Sequence, residues 1–201
     1  FTLRSVPDTD AIKNYIEQHK PKRAVVMGAG FIGLEMAENL HEAGLEVNIV
    51  EMSDQVMAPL DFSMATMVHQ HLKEKKINLW LEEQVTGFET TGNHLNVLLD
   101  GGKQIEADMV ICSVGVRPEK QLAQSAGLKI GSLGGIWVDE YMQTSDAHIY
   151  AVGDAVEITN PVTDMPALIP LAGPANKQAR IVADNILEGN NHTYKGTIGT
   201  S

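Results

Sequence analysis

Cysteine is nearly absent from this chain of 201 residues, which contains only Cys112. A single cysteine cannot form an internal disulfide, nor a zinc site built from several cysteines. The histidines offer no ligand set either, because His69 and His71 are two positions apart and would point to different faces of a helix. We therefore expect no metal site, and we expect the reducing cytoplasm as the location.

Basic residues are also scarce, with 15 lysines and arginines against 26 aspartates and glutamates and a formal net charge of −11. Nucleic acids and anionic membrane surfaces select basic proteins, so we expect neither as a partner. No apolar run approaches the roughly 18 residues that a membrane-spanning helix needs. The acidic residues are spread along the chain, which is typical of a solubilising surface.

The clearest positive feature is a glycine-rich turn in the sequence VVMGAGFIGLE, residues 25–35. A short apolar strand at residues 23–27 leads into it, and a helix at residues 31–43 follows it. A second strand at residues 45–50 then ends at Glu51. This order of strand, glycine turn, helix, strand and acid is the context that makes a G-x-G-x-x-G pattern specific for a dinucleotide.

Each glycine of the pattern has its own role. Gly28 permits the tight turn, Gly30 lets a pyrophosphate approach the backbone, and Gly33 lets the helix pack closely against the strand. Ala29 leads into the helix and is also expected to contact the dinucleotide. The free N–H groups of the first helical turn would stabilise the phosphate charge. The alternative is a glycine-rich turn without function, which the flanking elements disfavour.

Glu51 indicates which dinucleotide is bound. A carboxylate at this position accepts hydrogen bonds from the adenosine ribose hydroxyls and repels a 2′-phosphate. The next residues, Met52-Ser53-Asp54, offer no cation to hold that phosphate. The sequence therefore favours NAD(H) over NADP(H), the alternative being that Glu51 is only the solvated end of a strand.

The rest of the chain predicts an α/β fold whose second half is incomplete. Up to Gly115 we expect a parallel sheet and a small antiparallel β-meander. Two further helices are predicted in this half, at residues 11–19, capped by Asp8-Thr9-Asp10, and at residues 61–76. Its further strands are predicted at residues 77–81, 86–89, 95–99, 103–105 and 109–113. Turns are predicted at Thr91-Gly92-Asn93 and Asp100-Gly101-Gly102. Beyond Arg117-Pro118 the sequence predicts one strand pair, 136–138 with 149–152, and a helix over 175–187.

Together these segments make the chain resemble the pyridine nucleotide-disulfide oxidoreductases, and within them the coenzyme A-disulfide reductase and NADH oxidase/peroxidase branch. The resemblance extends over essentially the whole chain. The segments that carry it are TLRSVPDTDAI at 2–12, VVMGAGFIGLEMAENL at 25–40, VICSVGVRPE at 110–119, GGIWVDEYMQTSDAHIYAVGDA at 134–155, IPLAGPANKQARIVADNI at 169–186 and YKGTIGTS at 194–201.

The resemblance implies an NAD domain inserted into a split FAD domain. Residues 1–22 match the connector into the NAD domain, residues 23–115 the NAD(H)-binding domain, and residues 116–201 the returning, incomplete segment of the FAD-binding domain. Because the chain opens at Phe1 and stops at Ser201, we expect a fragment that lacks the first FAD segment and a C-terminal dimerisation domain.

The resemblance also assigns roles to residues. Phe31, Ile32 and Glu35 match positions along the NAD, and Gly115 matches a glycine near the nicotinamide. Read alone, Glu35 is an exposed helix residue and Gly115 a turn glycine.

The FAD is expected to contact four residues of the second half. Asp154, after Gly153, matches the aspartate that binds the ribityl chain of FAD. Leu171 and Ala172 lead into the helix whose N-terminus is directed at the flavin in this family, where its dipole stabilises negative charge.

The redox-active cysteine of the family falls outside this chain, so no catalytic residue is predicted. Cys112 lies in the apolar run MVICSVG and is interpreted as a core residue. Met57, Met64 and Met67 are likewise interpreted as core filling.

The predicted function is that of an FAD-dependent enzyme that oxidises NADH and reduces a small-molecule disulfide, with peroxide or oxygen as alternative acceptors. The parent is expected to be a homodimer, and the fragment alone is expected not to turn over even with added FAD. The remaining alternatives are a ferredoxin or rubredoxin reductase fragment and a non-catalytic NAD-binding module. The segment IYAVGDA disfavours the last, because a pure NAD module has no use for a ribityl-binding aspartate.

Overall fold

The computed structural model of the protein describes residues 1–92 and 94–198. The chain divides into two compact units, one formed by Phe1–Gly115 and the other beginning at Val116. Each unit has a hydrophobic core of its own. Asn93 of a predicted turn and residues 199–201 of the last matching segment lie outside the described residues.

The first unit is an α/β structure. Its elements are α1 Val6–His19, β1 Arg23–Met27, α2 Phe31–Glu42, β2 Glu46–Val50, α3 Phe62–Glu74, β3 Asn78–Trp80, β4 Val85–Thr91, β5 His94–Leu99, β6 Gln104–Ala107 and β7 Met109–Cys112. Four strands form a parallel sheet in the order β3-β2-β1-β7, and the other three form an antiparallel sheet in the order β4-β5-β6. The predicted Rossmann-like sheet with an antiparallel β-meander is confirmed.

Strand β1 is buried on both faces. Ala24 and Val26 belong to the core cluster that the helices cover, whereas Val25 between them belongs to the cluster that the meander covers. Burying a valine side chain contributes about 1.5–3 kcal/mol. The continuous apolar run of β1 is therefore what an inner strand between two cores requires.

The segment that resembles a connector, residues 1–22, packs into this unit. Thr2 forms a parallel bridge with Cys112 at the edge of β7, and Ile12 of α1 is buried in the helix-side core. The helix begins at Val6, earlier than predicted, because the N–H and the hydroxyl of Ser5 both donate to the Asp8 carboxylate at 2.8 Å. Asp8 thus lies in the first turn, and the hydroxyl of Ser5 is the largest of the influences that lower its pKa.

The interpretation of two methionines as core residues is wrong. Met64 is 52% exposed and Met67 is 65% exposed. Helix α3 buries only a narrow stripe, Ala65 and Leu72, and the methionines lie outside it. Met57 does pack against the helix-side core.

The second unit is smaller in regular structure. Its elements are α4 Gln121–Ser125, β8 Ile136–Trp137, β9 Val156–Thr159, β10 Pro166–Ala167 and α5 Ala172–Glu188. The three strands form a sheet in the order β10-β9-β8, with β8 and β9 parallel. Its core consists of buried side chains from these strands and the loops beside them: Val138, Met142, Val156, Ile158 and Tyr194.

Two predictions for this unit need correction. Residues 149–152 are not a strand paired with 136–138, because β8 pairs with β9, and only Tyr150 forms a bridge, to Gln143. Ile149 and Val152 are accordingly 38% and 36% exposed. Helix α5 begins at Ala172 rather than Ala175. Proline is tolerated in a first helical turn, where its missing N–H is not needed, so Pro174 does not delay the start.

None of the described helices is long and apolar enough to span a membrane.

Asp108 ties the start of β1 to the end of the meander. Its Oδ2 accepts hydrogen bonds from the N–H groups of Lys22 and Arg23 at 2.8 and 2.9 Å, and its Oδ1 from the Arg23 guanidinium at 3.1 Å. Burial acts to raise the pKa of Asp108, but these hydrogen bonds outweigh it and lower the pKa below its usual value. The charged form of Asp108 therefore stabilises the folded unit.

Replacing Asp108 with asparagine should lower the free energy of unfolding by about 2 kcal/mol at neutral pH, since charge-assisted hydrogen bonds to backbone and guanidinium are lost. Because the folded-state pKa is depressed, this contribution is present above the unfolded carboxyl pKa and is lost as the pH falls through the folded-state value. Urea denaturation at several pH values should thus show that the difference in unfolding free energy between the variant and the wild type shrinks in acid. Asp10→Asn, at an exposed position of α1, is the matched control, and a difference that persists unchanged into acid would contradict the role of Asp108.

Candidate functional site

The candidate site lies at the carboxyl ends of the parallel strands, where β1 runs into the glycine turn. The N–H of Gly28 donates to Val50 O of the neighbouring strand at 2.8 Å. Its φ is +94°, and a Cβ at this position would lie 2.5 Å from Ser113 O. Only glycine combines a positive φ with the absence of a Cβ, so this tight turn requires glycine at residue 28.

Gly33 brings α2 against the end of β1. A Cβ on Gly33 would lie 1.9 Å from Gly28 O, so the two backbones are in direct contact. Gly30, by contrast, has no atom within 4 Å of a Cβ built on it. It is the N-cap of α2, which has no side-chain cap and no acidic residue in its first turn. The N–H groups of that turn are thus available to an anion, in open space.

Glu51 is joined to the glycine turn rather than being a freely solvated strand end. Its Oε2 accepts the N–H of Ala29 at 2.8 Å and its Oε1 accepts the N–H of Ser53 at 2.9 Å. The side chain is half-buried. Each carboxylate oxygen has a second lone pair, so the group can still accept hydrogen bonds from two hydroxyls.

Ser113 is a residue of this site that the sequence analysis missed. Its hydroxyl donates to Met27 O at 2.8 Å and is 3.2 Å from Gly28 O. It therefore holds the end of β7 against the turn. The available signal was its position directly after a buried strand, since the strands on either side of a nucleotide turn end at the same edge of the sheet.

The other residues predicted to lie along the NAD are at this edge as well. Phe31, Ile32 and Glu35 are exposed on the first turns of α2. Gly115 follows Ser113 past the end of β7, with a φ of +91° and no atom within 4 Å of a built Cβ. The structure thus brings the predicted positions of the first unit to one edge of the parallel sheet.

The predicted flavin residues are in the second unit. The N–H of Gly153 donates to Oε1 of Gln178, a buried side chain of α5, at 2.7 Å. This bond holds the turn that carries the exposed Asp154 against the helix. Leu171 is the N-cap of α5 and provides no side-chain cap, so the N–H groups of Ala172 and Gly173 lack a capping side chain. Gln178 was not predicted, because its partner is a backbone group distant in sequence.

Cys112 is half-buried and packs against the meander-side core. Its Sγ lies 3.7 Å from the Sδ of Met27. Within residues 1–92 and 94–198, histidine, cysteine, aspartate and glutamate form no group of three or more that could hold a metal ion.

Comparisons with known proteins concern the chain as a whole. Residues 1–179 match the family model described as pyridine nucleotide-disulphide oxidoreductase. Coenzyme A disulfide reductase of Staphylococcus haemolyticus is 34% identical over 201 residues, which are 100% of this chain and 45% of that protein. NADH oxidase of Methanocaldococcus jannaschii is 41% identical over 190 residues, covering 92% of this chain and 41% of that protein.

Among solved structures, that of reduced Bacillus anthracis CoADR-RHD superposes with a TM-score of 0.95 at 52% identity, covering 100% of this chain and 36% of that one. The chain thus spans less than half the length of each of these three proteins. The family match covers most of its residues, and the fold agrees throughout the superposed length. This chain belongs to the pyridine nucleotide-disulphide oxidoreductase family.

Proposed function

We propose that this chain contributes the NADH site and part of the FAD site of a flavoprotein that oxidises NADH and reduces a small-molecule disulfide such as coenzyme A disulfide. The observation that carries the proposal is the anchoring of Glu51 on the glycine turn through Ala29, next to the uncapped start of α2 at Gly30. This geometry combines an acceptor for ribose hydroxyls with an anion site.

The two ends of the NADH site have different physical tasks. The first-turn N–H groups of α2 bind the pyrophosphate, with the helix dipole adding to the attraction. The Glu51 carboxylate accepts the adenosine ribose hydroxyls, and its negative charge opposes a 2′-phosphate. Phe31, Ile32, Glu35 and Gly115 would then lie along the rest of the dinucleotide and direct it past the end of β7.

The second unit also combines a hydrogen-bond acceptor with the free N–H groups of a helix start, and both suit the flavin. The exposed Asp154, held in place through Gly153 and Gln178, is suited to accept hydrogen bonds from the ribityl hydroxyls. The start of α5 at Leu171 and Ala172 presents N–H groups to an electron-rich ring edge. The chemistry supplied by bound FAD is acceptance of a hydride from NADH and delivery of electrons to the acceptor.

The remaining features of the proposal rest on the same relatives. We propose residues 1–22 as connector, 23–115 as NAD(H)-binding domain and 116–201 as the returning FAD segment; the boundary between the compact units at Gly115 supports the last of these divisions. The coenzyme A disulfide reductase relative supports a disulfide as acceptor, and the NADH oxidase relative supports oxygen as the second candidate. We further propose a cytoplasmic homodimer as the working form.

Replacing Glu51 with alanine should weaken NADH binding about tenfold, because the ribose hydroxyls lose their acceptor and the glycine turn loses its anchor. NADPH binding should change less, since the repulsion of its 2′-phosphate is removed at the same time. Titration calorimetry with both nucleotides measures the difference between the NADH and NADPH affinities. Glu46→Ala, which removes the same charge at the opposite end of β2, should leave both affinities unchanged. Equal affinities for NADH and NADPH in the unmodified chain would refute the role of Glu51.

Gly30→Ala should fold normally and lose NADH affinity by more than about tenfold. Its φ of −78° suits any residue and its Cβ would meet no protein atom, but the methyl group would stand where the pyrophosphate approaches the turn. Thermal denaturation and NADH titration measure the two effects. Gly87→Ala, whose Cβ would make an ordinary 3.7 Å contact with Leu98, should change neither. Gly33→Ala should instead unfold the unit, and undiminished NADH binding by Gly30→Ala would count against the anion site.

The flavin assignment can be tested in a chimera in which this chain replaces the matching segment of the Bacillus anthracis protein. We expect the chimera to retain FAD and to lose visible flavin absorbance on addition of NADH. Asp154→Ala should lower the FAD content, because the ribityl chain loses its acceptor, whereas Asp184→Ala, farther along α5 and exposed, should not. A flavin content that is the same in both variants would contradict the role of Asp154.

A further inference from the structure

The loop that follows β2, residues 51–57, is attached to α3 through one side chain. The N–H of Val56 donates to Nε2 of His69 at 3.1 Å. Val56 is fully buried in the helix-side core and His69 is half-buried. From this contact we propose that His69 is a positioning residue for NADH, which sets the nucleotide affinity through the 51–57 loop; the inference rests on the NADH site proposed above.

The loop reaches the glycine turn directly after Val56. The N–H of Met57 donates to Ala29 O at 2.9 Å, while the N–H of Ala29 donates to Glu51 Oε2 at 2.8 Å. The residue at the centre of the glycine pattern is thus held on both sides by the two ends of one loop. A displacement of the loop at Val56 therefore acts directly on the adjacent Met57, whose N–H holds Ala29 O.

The backbone conformation of Met57 has to be held in place by hydrogen bonds on either side of it. Its φ is +52°, a left-handed conformation that disfavours a residue with a Cβ. Such a conformation persists only where its surroundings hold it. The hydrogen bond to His69 on one side and that to Ala29 on the other provide this constraint.

The direction of the bond specifies the state of the imidazole. A backbone N–H can only donate, so Nε2 of His69 must offer its lone pair and the ring carries its hydrogen on Nδ1. The ring of Phe62, on the same helix, packs edge-on at 6.3 Å between centroids. His69 thus acts as an oriented acceptor, a role that a purely apolar side chain of the same size does not reproduce.

Three variants separate this role from simple packing. His69→Leu replaces the imidazole with an apolar side chain of similar size and removes the acceptor, so NADH affinity should fall about tenfold. His69→Gln offers an amide oxygen to Val56 N–H and should recover affinity to within about threefold of the wild type. His71→Leu, at an exposed position two residues on, should leave the affinity unchanged. NADH titration by calorimetry, with thermal denaturation of each variant, measures these effects.

The outcomes are distinct. If the unmodified chain fails to bind NADH, the proposed function is wrong. If it binds NADH and His69→Leu binds equally well, or if His69→Gln is as weak as His69→Leu, the role of His69 is wrong.

A second measurement does not depend on the variants folding. Amide hydrogen exchange of the wild-type chain should show Val56 and Met57 protected relative to Met52 of the same loop, with slower exchange when NADH is added. Exchange of Val56 at the rate of Met52, or no change with bound NADH, would overturn the proposal.

Discussion

The backbone contact between α2 and the end of β1 is the constraint on which the candidate site depends. With no Cβ at Gly33, the helix approaches the carbonyl of Gly28 closely enough that an added methyl carbon would lie 1.9 Å away. This approach places the start of α2 directly over the strand end. The neighbouring strands then complete the turn, one through Val50 O and the other through the hydroxyl of Ser113.

The features that the sequence predicted correctly depend on local patterns. The glycine turn, the strands around it and the meander follow from residue spacing within a few positions, and the structure contains all of them. The start of α1 is an exception: the sequence predicted a cap at Asp8-Thr9-Asp10, whereas the N-cap is Ser5. Asp8 lies in the first helical turn and accepts the hydrogen bonds of Ser5.

The features that were wrong or missed depend on partners distant in sequence. Residues 149–152 form a short apolar run that is typical of a strand, yet β8 pairs with β9 instead. Met64 and Met67 look like core residues until the narrow buried stripe of α3 is known. His69 and Gln178 each bond a backbone group that no sequence spacing identifies, and the position of Ser113 after a buried strand does not name the carbonyl that it bonds. Their roles therefore emerge only when the fold brings those groups together.

The burial of β1 between two cores has a consequence for which substitutions this protein can tolerate. The turn that would hold the phosphates follows directly after this buried strand and depends on Gly28 and Gly33, neither of which has room for a side chain. The residues that would distinguish one nucleotide from the other, Glu51 to Asp54, lie beyond the sheet on a half-exposed loop. Substitutions on this loop can therefore change which nucleotide is preferred, whereas substitutions at the two glycines would disturb the turn itself.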